Sequence, residues 1–199
     1  MKVISFEGFE YSGKSTQIKL LKKYFIKNNI KSTFTREPGG NKDLEKIRNV
    51  ILKSNFDNLS LIMFFFASRF ALLSSIKKND FIVFDRFFDS TYAYQKYNSK
   101  EKKLIISLIK LIDKKFIPKI TFYLKLDKKN LMRRKNKRLY SNKFDKKYFG
   151  QFSRIQKNYE EISKIKIGER KFVAIDASLS ANEVHDKIIL NLKKCKLIK

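Results

Sequence analysis

A mostly parallel, five-stranded α/β sheet with helices on both faces is predicted by three observations. Short strand-like runs alternate with long helical ones along the chain. A glycine-rich run follows the first of these strands. A stretch with helical apolar spacing follows that run in turn.

The first strand is expected over Lys2–Glu7, built on the apolar run Val3-Ile4-Ser5-Phe6. The other strands are placed at Ser32–Arg36, Phe81–Asp85, Thr121–Leu126 and Lys171–Asp176. Between them, Lys14–Asn28, Leu44–Lys53, Leu59–Lys77, Glu101–Lys114, Lys128–Lys137 and Tyr148–Ile165 are predicted as helices. A last helix begins after Ser180, which forms a capping-box pattern with Glu183; Val184, Ile188 and Leu192 then repeat every four residues. No repeat and no linker is visible, so residues 1–199 are expected to form a single domain.

The glycine-rich run is Gly8-Phe9-Glu10-Tyr11-Ser12-Gly13-Lys14-Ser15-Thr16. It meets the phosphate-binding pattern Gly-x-x-x-x-Gly-Lys-Ser at every defined position, in the required strand–loop–helix context. The glycines let backbone N–H groups turn toward phosphate oxygens, and the helix N-terminus adds a favourable dipole. Lys14 is expected to bridge the outer phosphates and Ser15 to hold Mg²⁺. The fold is therefore expected to be of the P-loop NTPase type, with a nucleoside triphosphate on this loop.

Composition excludes more than it assigns. The chain is 43% hydrophobic and 14% aromatic, which is globular. Its net charge of +27 suggests nucleic acid or an anionic membrane, but the lysines are spread along the whole chain. Lys, Asn, Ile, Phe and Tyr are abundant together, as AT-rich codons produce, so no specific nucleic-acid partner is expected. The single cysteine, Cys195, excludes an internal disulfide and fits a reducing compartment. His185 has no second metal ligand nearby in the sequence and reads as a surface residue. Leu61 to Ala67 is apolar but is interrupted by Ser68 and Arg69, and a membrane span needs about twenty residues. No signal peptide is evident, so a soluble, cytoplasmic protein with no membrane partner is expected.

Further motifs fall at strand ends, where ligands bind in such folds. The second strand runs into Arg36-Glu37-Pro38-Gly39-Gly40. The third ends in Asp85-Arg86-Phe87, followed by Asp89-Ser90-Thr91-Tyr92-Ala93-Tyr94-Gln95. On the long helix between them, Phe65 and Arg69 are four apart and share a face. Arg134 and Arg138, the run Asn142-Lys143-Phe144-Asp145, Arg154 with Tyr159, and Ile175-Asp176-Ala177 follow. With the phosphate loop, this order and spacing resembles thymidylate kinase, a family of P-loop nucleoside monophosphate kinases that use ATP to phosphorylate dTMP. The resemblance runs from Ile4 to Leu192.

The resemblance implies roles. Phe65 would stack on the thymine ring, and Arg69 would donate to the base O4; on the residues alone, core packing among Phe64, Phe65 and Phe66 is the stronger reading of Phe65. Thr91 and Gln95 would meet the base N3–H and the adjacent sugar, with Tyr94 crowding the sugar C2′. Glu10 would accept from the 3′-OH, and Arg86 would clamp the acceptor phosphate. Arg36, Glu37, Pro38, Ser90 and Tyr159 complete the expected acceptor set, and Ala177 joins the loop on the ATP side. Asp85 would orient Lys14 and a Mg²⁺-bound water. Catalysis would rest on Lys14, Asp85, Arg86, Arg134, Arg138 and Arg154, with a short mobile lid over about 133–147. A homodimer packed through the Leu59–Lys77 helix is expected as well, because Leu61, Ile62, Phe64, Phe65, Phe66, Leu72 and Leu73 are too many apolar groups for one face.

The chain departs from the family pattern at several positions. Tyr11 stands where Gly or Arg is usual, so positive groups for the migrating phosphoryl must come from the lid. Lys143 stands where arginine is common and lacks the planar fork, Asn142 replaces an aspartate, and Lys125 replaces a frequent acidic residue. Two rival readings differ in class. A deoxynucleoside (thymidine) kinase would also carry an Asp-Arg pair but needs a carboxylate base for a 5′-OH. A basic nucleic-acid-binding protein would leave the phosphate loop unexplained.

Overall fold

Five parallel strands form one sheet in the order β2-β3-β1-β4-β5. They are β1 (Lys2–Glu7), β2 (Ser32–Arg36), β3 (Phe81–Asp85), β4 (Ile120–Lys125) and β5 (Lys171–Asp176). The computed structural model describes residues 1–77, 79–136 and 148–199. Among these residues the helices are α1 (Lys14–Lys27), α2 (Lys42–Lys53), α3 (Asn58–Ser75), α4 (Phe88–Gln95), α5 (Ser99–Lys110), α6 (Lys128–Asn136), α7 (Phe152–Ser163) and α8 (Ala181–Lys194).

Period-two alternation sends successive side chains of a strand to opposite faces, and the two cores follow it. Phe81 and Val83 of β3 join Ile4 and Phe6 in one apolar cluster, which also takes Leu21 and Phe25 of α1 and Ile188 of α8. Ile82 and Phe84 join Val3 in the other, with Ile62 and Phe66 of α3 and Ile105 of α5. Each fully buried Phe or Ile contributes about 1.5–3 kcal/mol relative to exposure. Two polar residues inside the sheet satisfy each other: Ser5 Oγ and Thr121 Oγ1 lie 2.8 Å apart.

Four of the five predicted strands carry the predicted bounds; β4 lies one residue earlier than Thr121–Leu126. Helix starts moved where side-chain caps decide them. Asn41 accepts from Leu44 N–H at 2.9 Å and starts α2 at Lys42 rather than Leu44. Asp57 accepts from Ser60 N–H and starts α3 at Asn58. Asn98 and Glu101 form a capping box that starts α5 at Ser99 rather than Glu101, and the helix ends at Lys110, short of the expected Lys114. The capping box of Ser180 and Glu183 opens α8 as expected.

Helix α4 was not foreseen. Seven of its eight residues are buried, all but Ser90, so it shows no polar face in the sequence. It packs between α3, α5 and α7. Helix α3 is long and apolar enough to cross a membrane by length and composition alone. Here it is a core helix: Leu61, Ile62, Phe66, Leu72 and Leu73 point into the fold, and Arg69 is buried with them.

Candidate active site

The phosphate loop is the wall between two pockets. On one side, Tyr11 to Gln17 face a pocket completed by Arg134, Ala177, Leu179, Ala181 and Val184. On the other, Glu10 faces a pocket lined by Glu37, Pro38, Arg48, Leu52, Phe65, Arg69, Arg86, Phe87, Ser90, Thr91, Tyr94 and Gln95. Adjacent residues of one loop therefore serve two sites.

The loop's shape requires glycine at Gly8, which has φ 143 and no room for a side chain. A Cβ there would stand 2.7 Å from both the Leu124 carbonyl and Ser12 Oγ. Gly13, at φ 94, leads directly into α1 and offers no side-chain cap, and no acidic residue occupies the first turn of α1. The helix's first N–H groups are thus left for an anion. Lys14 Nζ donates to the Gly8 and Phe9 carbonyls at 3.0 and 2.9 Å, tying the loop closed. Burial, then the nearby Arg86 guanidinium, push the Lys14 ammonium down to about 8, against the pull of Asp85, Glu10 and Glu7. A bound polyphosphate would restore it. Arg134 reaches from α6 to donate to the Tyr11 carbonyl at 3.1 Å and the Ala177 carbonyl at 2.5 Å.

Ser15 is exposed in this pocket, and Asp85 ends β3 close enough to Lys14 to act on its charge. A hydroxyl and a carboxylate beside a phosphate site fit Mg²⁺, which keeps several waters and takes few protein ligands.

The second pocket is electrostatically divided. At its inner end Arg69 and Glu37, 2% and 5% exposed, form an ion pair at 2.7 Å. Burial pushes the Glu37 carboxyl up to about 7, with Arg69 holding it from going further. Arg69 Nη2 also donates to Thr91 Oγ1 at 3.1 Å, while Nη1 has no hydrogen-bond partner among the described residues. Toward the phosphate loop, Arg86 donates to Glu10 at 2.6 Å, to Ser90 Oγ at 3.0 Å and to the Gly8 carbonyl at 3.1 Å. Tyr94 OH donates to the other Glu10 oxygen at 2.8 Å. Half-buried Phe65 adds an aromatic side chain to the lining of the same pocket. An arginine near the loop suits a phosphate, and a ring beside a buried arginine suits a flat, carbonyl-bearing base.

Residues 6–188 match the family model for thymidylate kinase. The chain belongs to the thymidylate kinase family. It is 35% identical to the thymidylate kinase of Chlorobium limicola, with 96% of this chain and 94% of that protein covered. Against the enzyme of Wolbachia pipientis subsp. Culex pipiens the identity is 36%, covering 97% and 96%. The crystal structure of thymidylate kinase from Ehrlichia chaffeensis superposes with a TM-score of 0.73 at 30% identity, covering 96% of this chain and 98% of that one. As a member of this family the chain is an ATP-dependent nucleoside monophosphate kinase.

Most residues expected from the thymidylate kinase resemblance gather at the two pockets, but some lie elsewhere. Arg36 is not among the lining residues; it makes a bidentate, exposed pair with Glu45 at 3.0 and 2.7 Å. Arg154 donates to the Tyr94 and Lys96 carbonyls at 3.0 and 2.9 Å, closing the C-terminal end of α4 rather than facing either pocket. Tyr159 is fully buried behind the acceptor pocket, its hydroxyl 3.0 Å from Ser90 Oγ. Gln95 does line the acceptor pocket, and it donates to Tyr148 OH at 3.0 Å. Arg138, Asn142 and Lys143 lie outside the described residues, as does the expected lid beyond Asn136.

Two charged residues at the site escaped the sequence reading. Arg48 lines the acceptor pocket and donates to the Pro38 carbonyl at 2.7 Å. Its signal was present: Leu44, Arg48 and Ile51 share one helix face, and the two apolar members are buried. Glu7 is the other, a wholly buried carboxylate at the end of β1.

Proposed function

We propose that this chain transfers the γ-phosphoryl group of ATP to dTMP, giving dTDP and ADP for dTTP synthesis. ATP is assigned to the pocket of Tyr11–Gln17 and dTMP to the pocket of Phe65, Arg69 and Arg86. The observation that carries this reading is the shared loop, which sets a phosphate cradle and an arginine-bearing nucleotide pocket back to back.

Phosphoryl transfer of this kind is positioning and charge neutralisation rather than covalent chemistry. Lys14 leaves its two loop carbonyls for the donor phosphates. Arg86 takes the acceptor phosphate, whose dianion needs no strong general base. Arg69 Nη1 is the donor available for a base carbonyl, beside Phe65. Glu10 accepts from the sugar 3′-OH, and Tyr94 restricts the space at C2′. Arg134 brings positive charge from α6 to the loop that Tyr11 leaves without an arginine. Ser15, and Asp85 through water, would hold Mg²⁺, which supplies neutralisation of charge on the transferring phosphoryl when bound.

A coupled assay with dTMP, thymidine, dUMP and dCMP as acceptors tests the reading. The dTMP reaction is expected to be the fastest; preference for thymidine would make the chain a nucleoside kinase instead.

The enzyme is proposed to be a soluble, cytoplasmic homodimer joined through α3. Five of the seven apolar residues first held against a monomer are buried in the chain's own core or pack against it. The support comes instead from Leu59, Met63 and Phe64, which remain 57%, 49% and 38% exposed on one stretch of α3. Phe56 extends this surface through its ring contact with Phe64 at 4.7 Å. Light scattering at micromolar concentration is expected to give a dimer, and Met63→Asp a monomer. A wild-type monomer would refute the assignment.

A further inference from the structure

We propose that Glu7 is a positioning residue for phosphoryl transfer: through Phe87 and Ser90 it holds Arg86 in the conformation that aims its guanidinium at the acceptor phosphate. The proposal rests on reading the Arg86 pocket as the dTMP site.

Arg86 has φ 68, a left-handed conformation that disfavours any residue with a side chain. Such a residue persists only where its surroundings over-determine it. Here both flanking peptides are fixed. Arg86 N–H donates to the Phe6 carbonyl at 3.0 Å. The next N–H, that of Phe87, donates to Glu7 Oε1 at 2.7 Å. Consecutive residues of β1 thus grip the two sides of the strained turn, one by backbone and one by side chain.

The second Glu7 oxygen orients the side chain of Arg86. Ser90 Oγ donates to Glu7 Oε2 at 2.5 Å and accepts from Arg86 Nη1 at 3.0 Å. A hydroxyl has one proton. Committed to the carboxylate, it presents only lone pairs to the guanidinium. Tyr159 OH donates to the same Glu7 oxygen at 3.2 Å and stands 3.0 Å from Ser90 Oγ. Glu7 therefore sets the direction of every hydroxyl that borders Arg86 on this side.

A purely structural role does not call for a carboxylate here. Burial, followed by the charge of Asp89, raises the Glu7 carboxyl, while Ser90, Arg86 and the Phe87 N–H favour the ionised form on which three donors converge. Asp89 is itself engaged by Arg170. A neutral amide of the same shape would escape that burial penalty. It would also present an N–H₂ to Ser90 or Phe87, where the observed network needs an acceptor.

Steady-state kinetics of Glu7→Gln test the proposal. The KM for dTMP is expected to rise about tenfold or more with the ATP KM within about twofold, the signature of a change confined to one substrate. Ser90→Ala should give the same selective loss, and the double variant no more than the larger single loss, because both act through one relay. Unchanged dTMP kinetics in Glu7→Gln, parallel losses for both nucleotides, or additive effects in the double variant would overturn it. Should Glu7→Gln fail to fold, Glu7→Asp keeps the charge with a shorter reach, and the same split in KM decides. Wild-type enzyme that does not phosphorylate dTMP would refute the acceptor assignment instead; active wild type with a normal Glu7→Gln refutes only the role of Glu7.

Discussion

Lys14→Ala is expected to lower turnover by about 10²–10³-fold while leaving the fold intact, since removing one preorganised charge donor has effects of that size. The side chain is 8% exposed yet makes no part of either apolar core; its partners are the Gly8 and Phe9 carbonyls. Its loss therefore empties the cradle without opening the sheet. The same residue sets a pH dependence. In the free protein its ammonium is held down to about 8 by burial and by Arg86. Bound phosphates favour the charged form, so ATP binding takes up a proton above that pH. ATP affinity should be flat with respect to this group below pH 8 and weaken above it, and Lys14→Ala should lack that limb. The stability contribution has the opposite slope. The folded value lies below the unfolded 10.5, so the penalty for burying the ammonium is full below pH 8 and relieved as pH rises toward 10.5. Near-wild-type turnover in the variant would remove the phosphate loop from the chemistry.

Legibility in the sequence followed the range of the physics. The phosphate loop could be read because backbone curvature, a cation and a hydroxyl must stand at fixed local spacing. The strands were legible for the same reason, as apolar runs closed by polar ends. The α8 cap was as clear, since a capping box is complete within four residues. What the sequence hid was decided across the fold. Helix α4 has no solvent face and so no periodicity to read. Phe64, Phe65 and Phe66 are chemically identical neighbours with three fates: exposed surface, pocket wall and core. Successive helix positions point about 100° apart, so only the packing of α3 distinguishes them. Arg36 and Arg154 looked like site cations; Glu45 and the end of α4 claim them. Arg48 shares a readable helix face with Leu44 and Ile51, but which pocket that face meets, and that Glu7 at the end of β1 meets the Arg86 turn, is decided across the fold.

Arg69→Ala is expected to do two things at once, and a second substitution separates them. Arg69 is 2% exposed, paired with Glu37 at 2.7 Å, and lies over the Phe66 and Phe87 rings at 4.6 and 5.3 Å. Removing one partner of a buried pair leaves the other charge stranded, which costs about 3–5 kcal/mol. The loss should depend on pH with a defined sign. Burial already raises the Glu37 carboxyl to about 7, and Arg69 is what opposes it. A carboxyl raised on folding makes the folded state hold the extra proton, so stability falls as pH climbs from the unfolded 4.5 through the folded value. Without Arg69 that window extends higher, and the deficit against wild type should be larger at pH 8 than at pH 5. Urea midpoints at the two pH values measure it. The second effect is selective binding: dTMP affinity should fall by about 1–3 kcal/mol, the cost of unpairing a buried polar base edge, with ATP affinity little changed. Adding Glu37→Gln removes the stranded charge, so stability should recover while dTMP affinity does not. If dTMP affinity recovers too, Arg69 acts on the nucleotide only by holding Glu37 and the 37–38 turn, and direct recognition of the base by Arg69 is wrong.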